Sequence, residues 1–223
     1  MEADTISGGG IPEESAHPDP TQPGVTPAIS EEDMLRANLY GLLARVLAAP
    51  PSDETLEIVR GLAGADDGTE IGTALSNLGT LAVRTPRTQA EDEYTRLFFG
   101  FGAGGEITPT ASFYLTGFIN EKPLANLRQD LMEFGITVSG LNKEPEDHIA
   151  FLCEVMHGLI TGQLGDGPGL ARQKSFFQKH LAPWAARVFE DLEGAEAALF
   201  YMPVGTVGKL FMTVEAEAFE MAA

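Results

Sequence analysis

Leu35, Leu39, Leu42, Leu43, Val46 and Leu47 recur at intervals of three and four, the pattern of one apolar helix face. Ser30, with Asp33 three residues on, supplies the cap, because its hydroxyl and that carboxylate satisfy first-turn N–H groups. Pro50 and Pro51 stop this helix, since proline has no N–H to give and its ring clashes with the preceding turn. The spacing returns at Leu56, Val59 and Leu62 behind Ser52, with Asp53 and Glu54 in the first turn. Beyond a polar break at 64–68, a weaker helix carries Ile71, Leu75, Leu78 and Leu81. Pro86 fits the first turn of a fourth, with Ala90, Tyr94, Leu97 and Phe98 inward. Gly100 to Gly105 reads as a flexible loop, and Ala111 to Asn120 fits either a helical turn or irregular backbone. Pro123 opens a helix through Leu124, Leu127, Leu131 and Phe134, closed by Gly135 in a left-handed conformation. Pro145 opens another, whose face holds Ile149, Leu152, Cys153, Met156, Leu159 and Ile160. After a Gly162–Gly169 linker come Phe176, Phe177, Leu181, Trp184, Val188 and Leu192, interrupted at Pro183; a last segment, Ala195 to Met221, should bend near Pro203.

Alternating strand patterns with hairpin turns are nearly absent. The expectation is an all-α chain: a single globular helical domain of about seven to ten helices, over residues 30–223. Residues 1–29 differ. They hold five prolines, four glycines and five acids, with no Lys or Arg and no run of large apolar side chains. Such a stretch cannot bury enough surface to offset its ordering entropy, so it reads as a disordered acidic tail.

Charge narrows the function. Across 223 residues, 33 acidic side chains face 14 basic ones, a net charge of -19. Nucleic-acid affinity rests on clustered Lys and Arg, so a nucleic-acid partner is excluded; the acidity suits a basic partner or simple solubility. The N-terminal residues lack the basic and apolar regions of a secretory signal, and no run reaches the roughly 20 apolar residues of a membrane span. The expected location is the cytoplasm.

Reactive chemistry is sparse. Gly100 to Gly105 has neither the preceding strand nor the following Gly-Lys-Ser/Thr of a phosphate loop. His148 and His157 are nine residues apart, not the four that pair ligands on one helix face, and no metal site is expected. Cys153 sits on an apolar stripe without a cationic neighbour, and no Gly-x-Ser-x-Gly elbow occurs, so no catalytic residue is assigned. Glu144-Pro145-Glu146-Asp147-His148 stands apart: acids at a helix start are favoured by its dipole, but a histidine there is not. Capping and binding both fit this cluster. On the capping reading, losing Asp147 should cost about 0.3–1 kcal/mol of stability.

These residues carry a resemblance. Glu144-Pro145-x-Asp147-His148-Ile149, followed by Phe-Leu-Cys-Glu-Val-Met, is similar to the signature of the TorD/DmsD family. Tyr94-x-x-Leu97-Phe98, then Pro109, Ser112 and Tyr114, and His180-Leu181-x-x-Trp184 resemble further segments in the family's order, over about residues 31–220. The long acidic tail and the glycine-rich loop depart from the pattern. The family consists of cytoplasmic chaperones for molybdenum-cofactor oxidoreductases exported with twin-arginine signal peptides.

The resemblance implies a non-enzymatic, all-helical chaperone that binds the signal peptide and apo form of a reductase or formate dehydrogenase, assists cofactor insertion and delays export. It implies no resident cofactor, and leaves room for transient molybdenum-cofactor or weak guanine-nucleotide binding. A monomer or a domain-swapped dimer would fit, exchanging at Gly162–Gly169 or before Pro145. The residues expected to meet the client are Glu144, Glu146, Asp147 and His148 with the aromatics Tyr94, Phe98, Tyr114 and Trp184; Leu97, Pro109, Ser112, Pro145, His180 and Leu181 are expected to shape the fold. A helical assembly adaptor of the NarJ type, binding a non-exported or membrane-bound subunit, is the alternative.

Overall fold

The computed structural model describes residues 29–100, 104–137, 144–164 and 169–221. The expected tail, except Ile29, lies outside them, as does the middle of both glycine-rich linkers. Among the described residues the chain forms ten α-helices and no strand, in keeping with the all-α pattern.

Capping chemistry sets the first boundaries. α1 (Glu31–Ala48) begins where the Ser30 hydroxyl accepts the Asp33 N–H, and α2 (Asp53–Arg60) where Ser52 does the same for Thr55. Thr69 caps α3 (Glu70–Arg84). α4 (Arg87–Tyr94) takes Pro86 as its cap residue and runs into a five-residue π-helical turn, Thr95–Phe99. The ambiguous stretch resolves into α5 (Ala111–Thr116), ended by left-handed Gly117. α6 (Lys122–Glu133) has Pro123 in its first turn and Gly135 left-handed just beyond it.

Two expectations need correction. α7 (Ile149–Thr161) starts four residues after Pro145, because Pro145 to Asp147 form a separate turn and His148 is the cap. The break expected at Pro183 is there: α8 (Leu170–His180) and α9 (Ala185–Gly194) are parted by a turn at 181–184. α10 (Tyr201–Met221) begins two residues before Pro203, so the proline sits in a first turn, where its missing N–H costs nothing, and no bend arises. At the described ends of the glycine-rich loop, Gly100 has φ +64°, and a side chain there would run into the Gly104 carbonyl.

One contiguous apolar core extends from Ala37 to Phe219. α7 lies at its centre, buried on most sides, with α1 packed along it and α8 behind. α10 packs on α9 and α3, and α2 on α3. α1 and α7 run antiparallel. His157 near the end of α7 meets Ala37 near the start of α1, while Tyr94 bridges the Leu47 carbonyl and the surroundings of Glu144.

Two buried acids tie distant segments together. Glu93 accepts the N–H groups of Leu199, Phe200 and Tyr201 at 2.7, 3.0 and 2.7 Å, and so caps α10 from another helix. Glu215, 1% exposed, receives two bonds from Arg36 at 2.6 and 2.9 Å and one from the Tyr40 hydroxyl at 3.0 Å. Burial alone would lower the Arg36 pKa, but the Glu215 and Asp33 carboxylates hold it above its ordinary value.

Candidate functional site

The apolar stripes of α1 and α3 are wider than the core needs. Leu39, Leu62, Ile71 and Leu75, each expected to point inward, are only half-buried, and Leu35 is 66% exposed. They line a groove of about 1340 Å³. Leu35, Asn38, Leu39, Leu42 and Arg45 of α1 form one wall. Ile58, Leu62, Asp67, Ile71 and Leu75 of the α2–α3 pair form the second, and Glu144, Pro145, His148, Phe151, Glu154 and His157 the third. Phe99, at the end of the π-helical turn and 53% exposed, adds an aromatic ring. Such a channel suits an apolar segment with charged groups at fixed points along it.

Its electrostatics favour a cation. Glu144 and Glu154 are exposed and make no hydrogen bond or ion pair among the described residues. Arg45 is the lining cation among those residues, and it already pairs with Glu54 at 3.2 Å. Asp67 is turned to its own loop, accepting from the Thr69 hydroxyl and N–H, and these bonds lower its pKa.

The turn at Pro145–His148 joins the groove to the fold. The His148 N–H donates to the Pro145 carbonyl, Ala111 N–H to the Asp147 carbonyl, and Ile149 N–H to the Pro109 carbonyl. The Asp147 carboxylate accepts the Ser112 N–H at 2.7 Å, while the Ser112 hydroxyl accepts from Glu121 N–H. Pro109, Ser112, Pro145, Asp147 and His148 therefore form one knot holding the starts of α5 and α7 together.

Within it, neighbours look opposite ways. His148, 5% exposed, lines the groove; its Nδ1 accepts the Ala150 N–H, and burial pulls its pKa down to about 4. Asp147, wholly buried, faces a second pocket of about 430 Å³ shared with Asp130, Lys179 and His180. There Oδ1 of Asp147 is buried with no hydrogen-bond partner. His180 lies 2.7 Å from Asp130, and burial lowers its pKa despite that carboxylate.

The eight residues expected to meet a client do not form one surface. Glu144 and His148 share the groove, and Asp147 lines the other pocket. Glu146 is ion-paired with Arg128 at 2.7 Å. Tyr94 and Trp184 are core residues: the Tyr94 hydroxyl donates to the Leu47 carbonyl, and the indole N–H to the His180 carbonyl at 2.7 Å. Burial, with the Glu144 charge adding, pushes Tyr94 up to about 12. Phe98 packs on Tyr94 and Tyr201, and the Tyr114 hydroxyl donates to Asp191 at 2.6 Å. Of the residues expected to shape the fold, Leu97 and Leu181 are fully buried, and the Leu97 carbonyl accepts from Ile107 N–H at 2.9 Å.

Sequence reasoning missed the groove itself, with Leu35, Phe99, Glu154 and His157, because an over-wide apolar face and a core face share one periodicity. It missed Glu93 as well. The one signal was indirect: Leu199-Phe200-Tyr201 starts a helix without a Ser, Thr, Asp or Asn to cap it, so an acceptor had to come from elsewhere.

Cys153 is completely buried and burial raises its thiol pKa, while no group of three or more metal-ligating side chains converges among the described residues. No helix among them is long and apolar enough to cross a membrane.

Comparison with known proteins agrees with this architecture. The chaperone protein TorD of Vibrio parahaemolyticus is 25% identical over 188 residues, covering 76% of this chain and 87% of that protein. The TorD of Vibrio atlanticus is 24% identical over 211 residues, covering 86% and 96%. A crystal structure of a putative redox enzyme maturation protein from Archaeoglobus fulgidus shares the fold with a TM-score of 0.57 at 17% identity, covering 88% of this chain and 99% of that one. The family model described as nitrate reductase delta subunit matches residues 65–190, more than half of the chain. This protein belongs to that family, the TorD/NarJ family.

Proposed function

We propose that this chain is a non-enzymatic chaperone of redox-enzyme maturation that holds the twin-arginine signal peptide of a molybdenum-cofactor enzyme in the groove between α1, α3 and α7. One observation carries the reading: an apolar channel of about 1340 Å³ with two carboxylates along one wall, Glu144 and Glu154, that are unpaired among the described residues. A twin-arginine signal has basic residues beside an apolar run, and its receptor needs the complementary arrangement. The similarity to chaperones named TorD supports the same role. Holding the peptide before export would keep a folding apoenzyme on the cytoplasmic side.

Leu35→Arg tests the site. Leu35 is 66% exposed, so the change leaves folding intact while placing a cation in the groove. Isothermal titration with a synthetic twin-arginine peptide should show affinity reduced about tenfold or more, or at least 1.4 kcal/mol. Equal affinity for both proteins would place the site elsewhere. The family model's description also favours a second reading, an adaptor for a nitrate-reductase-like subunit that is not exported. Deleting the client's signal peptide separates the two, because only the adaptor should still bind the client.

A further inference from the structure

The two histidines of the groove have opposite hydrogen-bonding character. Nδ1 of His148 accepts the Ala150 N–H at 3.2 Å, so the proton of the neutral ring is on Nε2, which is a donor. Nδ1 of His157 lies 2.8 Å from the Ala37 carbonyl, which can only accept; here the proton is on Nδ1, and Nε2 is an acceptor. His148 is more than nine-tenths buried, lines the groove, and its Nε2 has no partner among the described residues. Ala150, Phe151, Glu154 and His157 share one face of α7, with His148 at its head. At 1.5 Å per residue, this wall carries a donor at one end and an acceptor about 13 Å away.

A helix leaves its first N–H groups and its last carbonyls unpaired, with partial positive charge at the N-terminus and negative charge at the C-terminus. The acceptor end of the wall also holds the Glu154 carboxylate, unpaired among the described residues; Glu144 precedes the turn at the donor end, and the lining cation, Arg45, pairs with Glu54. A helical occupant can satisfy both ends in only one direction. We propose that the groove takes a helical peptide of basic-then-apolar sequence antiparallel to α7, its N-terminal arginines at Glu154 and His157 and its C-terminal end at His148. This orientation rests on reading the groove as the signal-peptide site. The wall matches about nine residues of helix, with Phe151 against the apolar middle.

The test is photo-crosslinking on the full chain with a synthetic peptide of two consecutive arginines followed by about nine leucine-rich residues, the helical length of the wall. Benzoylphenylalanine is placed at one end or the other, and adducts are located by mass spectrometry. The N-terminal probe should mark the start of α1 and the end of α7, around Asn38 and His157. The C-terminal probe should mark the Pro145–His148 turn. Glu154→Gln should weaken this peptide roughly three- to tenfold at low salt and leave a peptide with both arginines replaced by glutamine unaffected. Reversed adducts, or each probe marking both ends equally, would overturn the orientation while leaving the groove as the site. Adducts wholly outside the groove, or no binding at all, would overturn the underlying reading and the orientation with it.

Discussion

His148 shows how one side chain can cap a helix and line a groove at once. Its ring caps α7 and is buried, so its folded-state pKa is about 4 against an ordinary 6.5. The unfolded chain therefore binds a proton that the folded one cannot between those values. Stability from this group is complete above pH 6.5 and is lost as the pH falls toward 4. By linkage, the loss by pH 5 is about 2 kcal/mol. His148→Asn keeps a capping acceptor and removes the titration, so urea unfolding at pH 7.5 and pH 5 should show a difference smaller by about that amount. An unchanged difference would mean that the proton is taken up elsewhere. His180, also lowered by burial, acts in the same direction and is common to both proteins. Asp147 is a separate case. A first-turn carboxylate facing solvent would cost little to lose, but this one is buried on the Ser112 N–H. Asp147→Ala should therefore cost about 2 kcal/mol or more, because it leaves that N–H unpaired. Asp147→Asn retains an acceptor and removes a buried charge whose other oxygen is already unpartnered, so it should stay within about 1 kcal/mol of wild type. Equal losses in urea unfolding would count against the capping role. Glu93→Gln offers a third measurement. It removes the charge from the acceptor of three N–H groups and should lower stability by about 2–3 kcal/mol.

At the level of elements, local signals and remote ones part company. Ser30, Ser52, Gly135 and the proline pair after α1 placed helix ends correctly, because a cap acts on backbone groups within four residues of itself. Pro145 misled for the opposite reason. The turn it belongs to is closed by Pro109 and Ala111, some 35 residues away, and no local pattern records that partner. The same gap hid the groove, since periodicity tells which face is apolar but not whether a neighbour covers it. The α9–α10 crossing gives an element-scale test. A methyl on Gly205 would lie 2.5 Å from the Glu193 nitrogen and 2.7 Å from the Phe189 carbonyl oxygen. Inside an ordinary helix Gly→Ala stabilises by about 1 kcal/mol. Here the sign should reverse, because the helices must separate, and a melting temperature at least several degrees lower is expected. A rise would show that the crossing can relax.

For the whole molecule, a net charge of -19 sets the terms on which the proposed basic peptide would approach. Raising salt from 0.05 to 0.5 M should slow association with the twin-arginine peptide severalfold while changing dissociation less, as stopped-flow mixing would show. A flat association rate would mean that capture is purely apolar. Architecture also governs when such capture can begin. Arg36 and Tyr40, in the first helix, find their carboxylate on Glu215 in the last, and the Tyr201 hydroxyl reaches back to the Val46 carbonyl. The same first helix supplies a full wall of the groove. During synthesis, that wall therefore waits for a residue made 179 positions later before it is locked in place. Contacts of such separation form late and slowly. A nascent copy of this chain should bind nothing in its groove until α10 has left the ribosome, so translation itself times the groove's readiness.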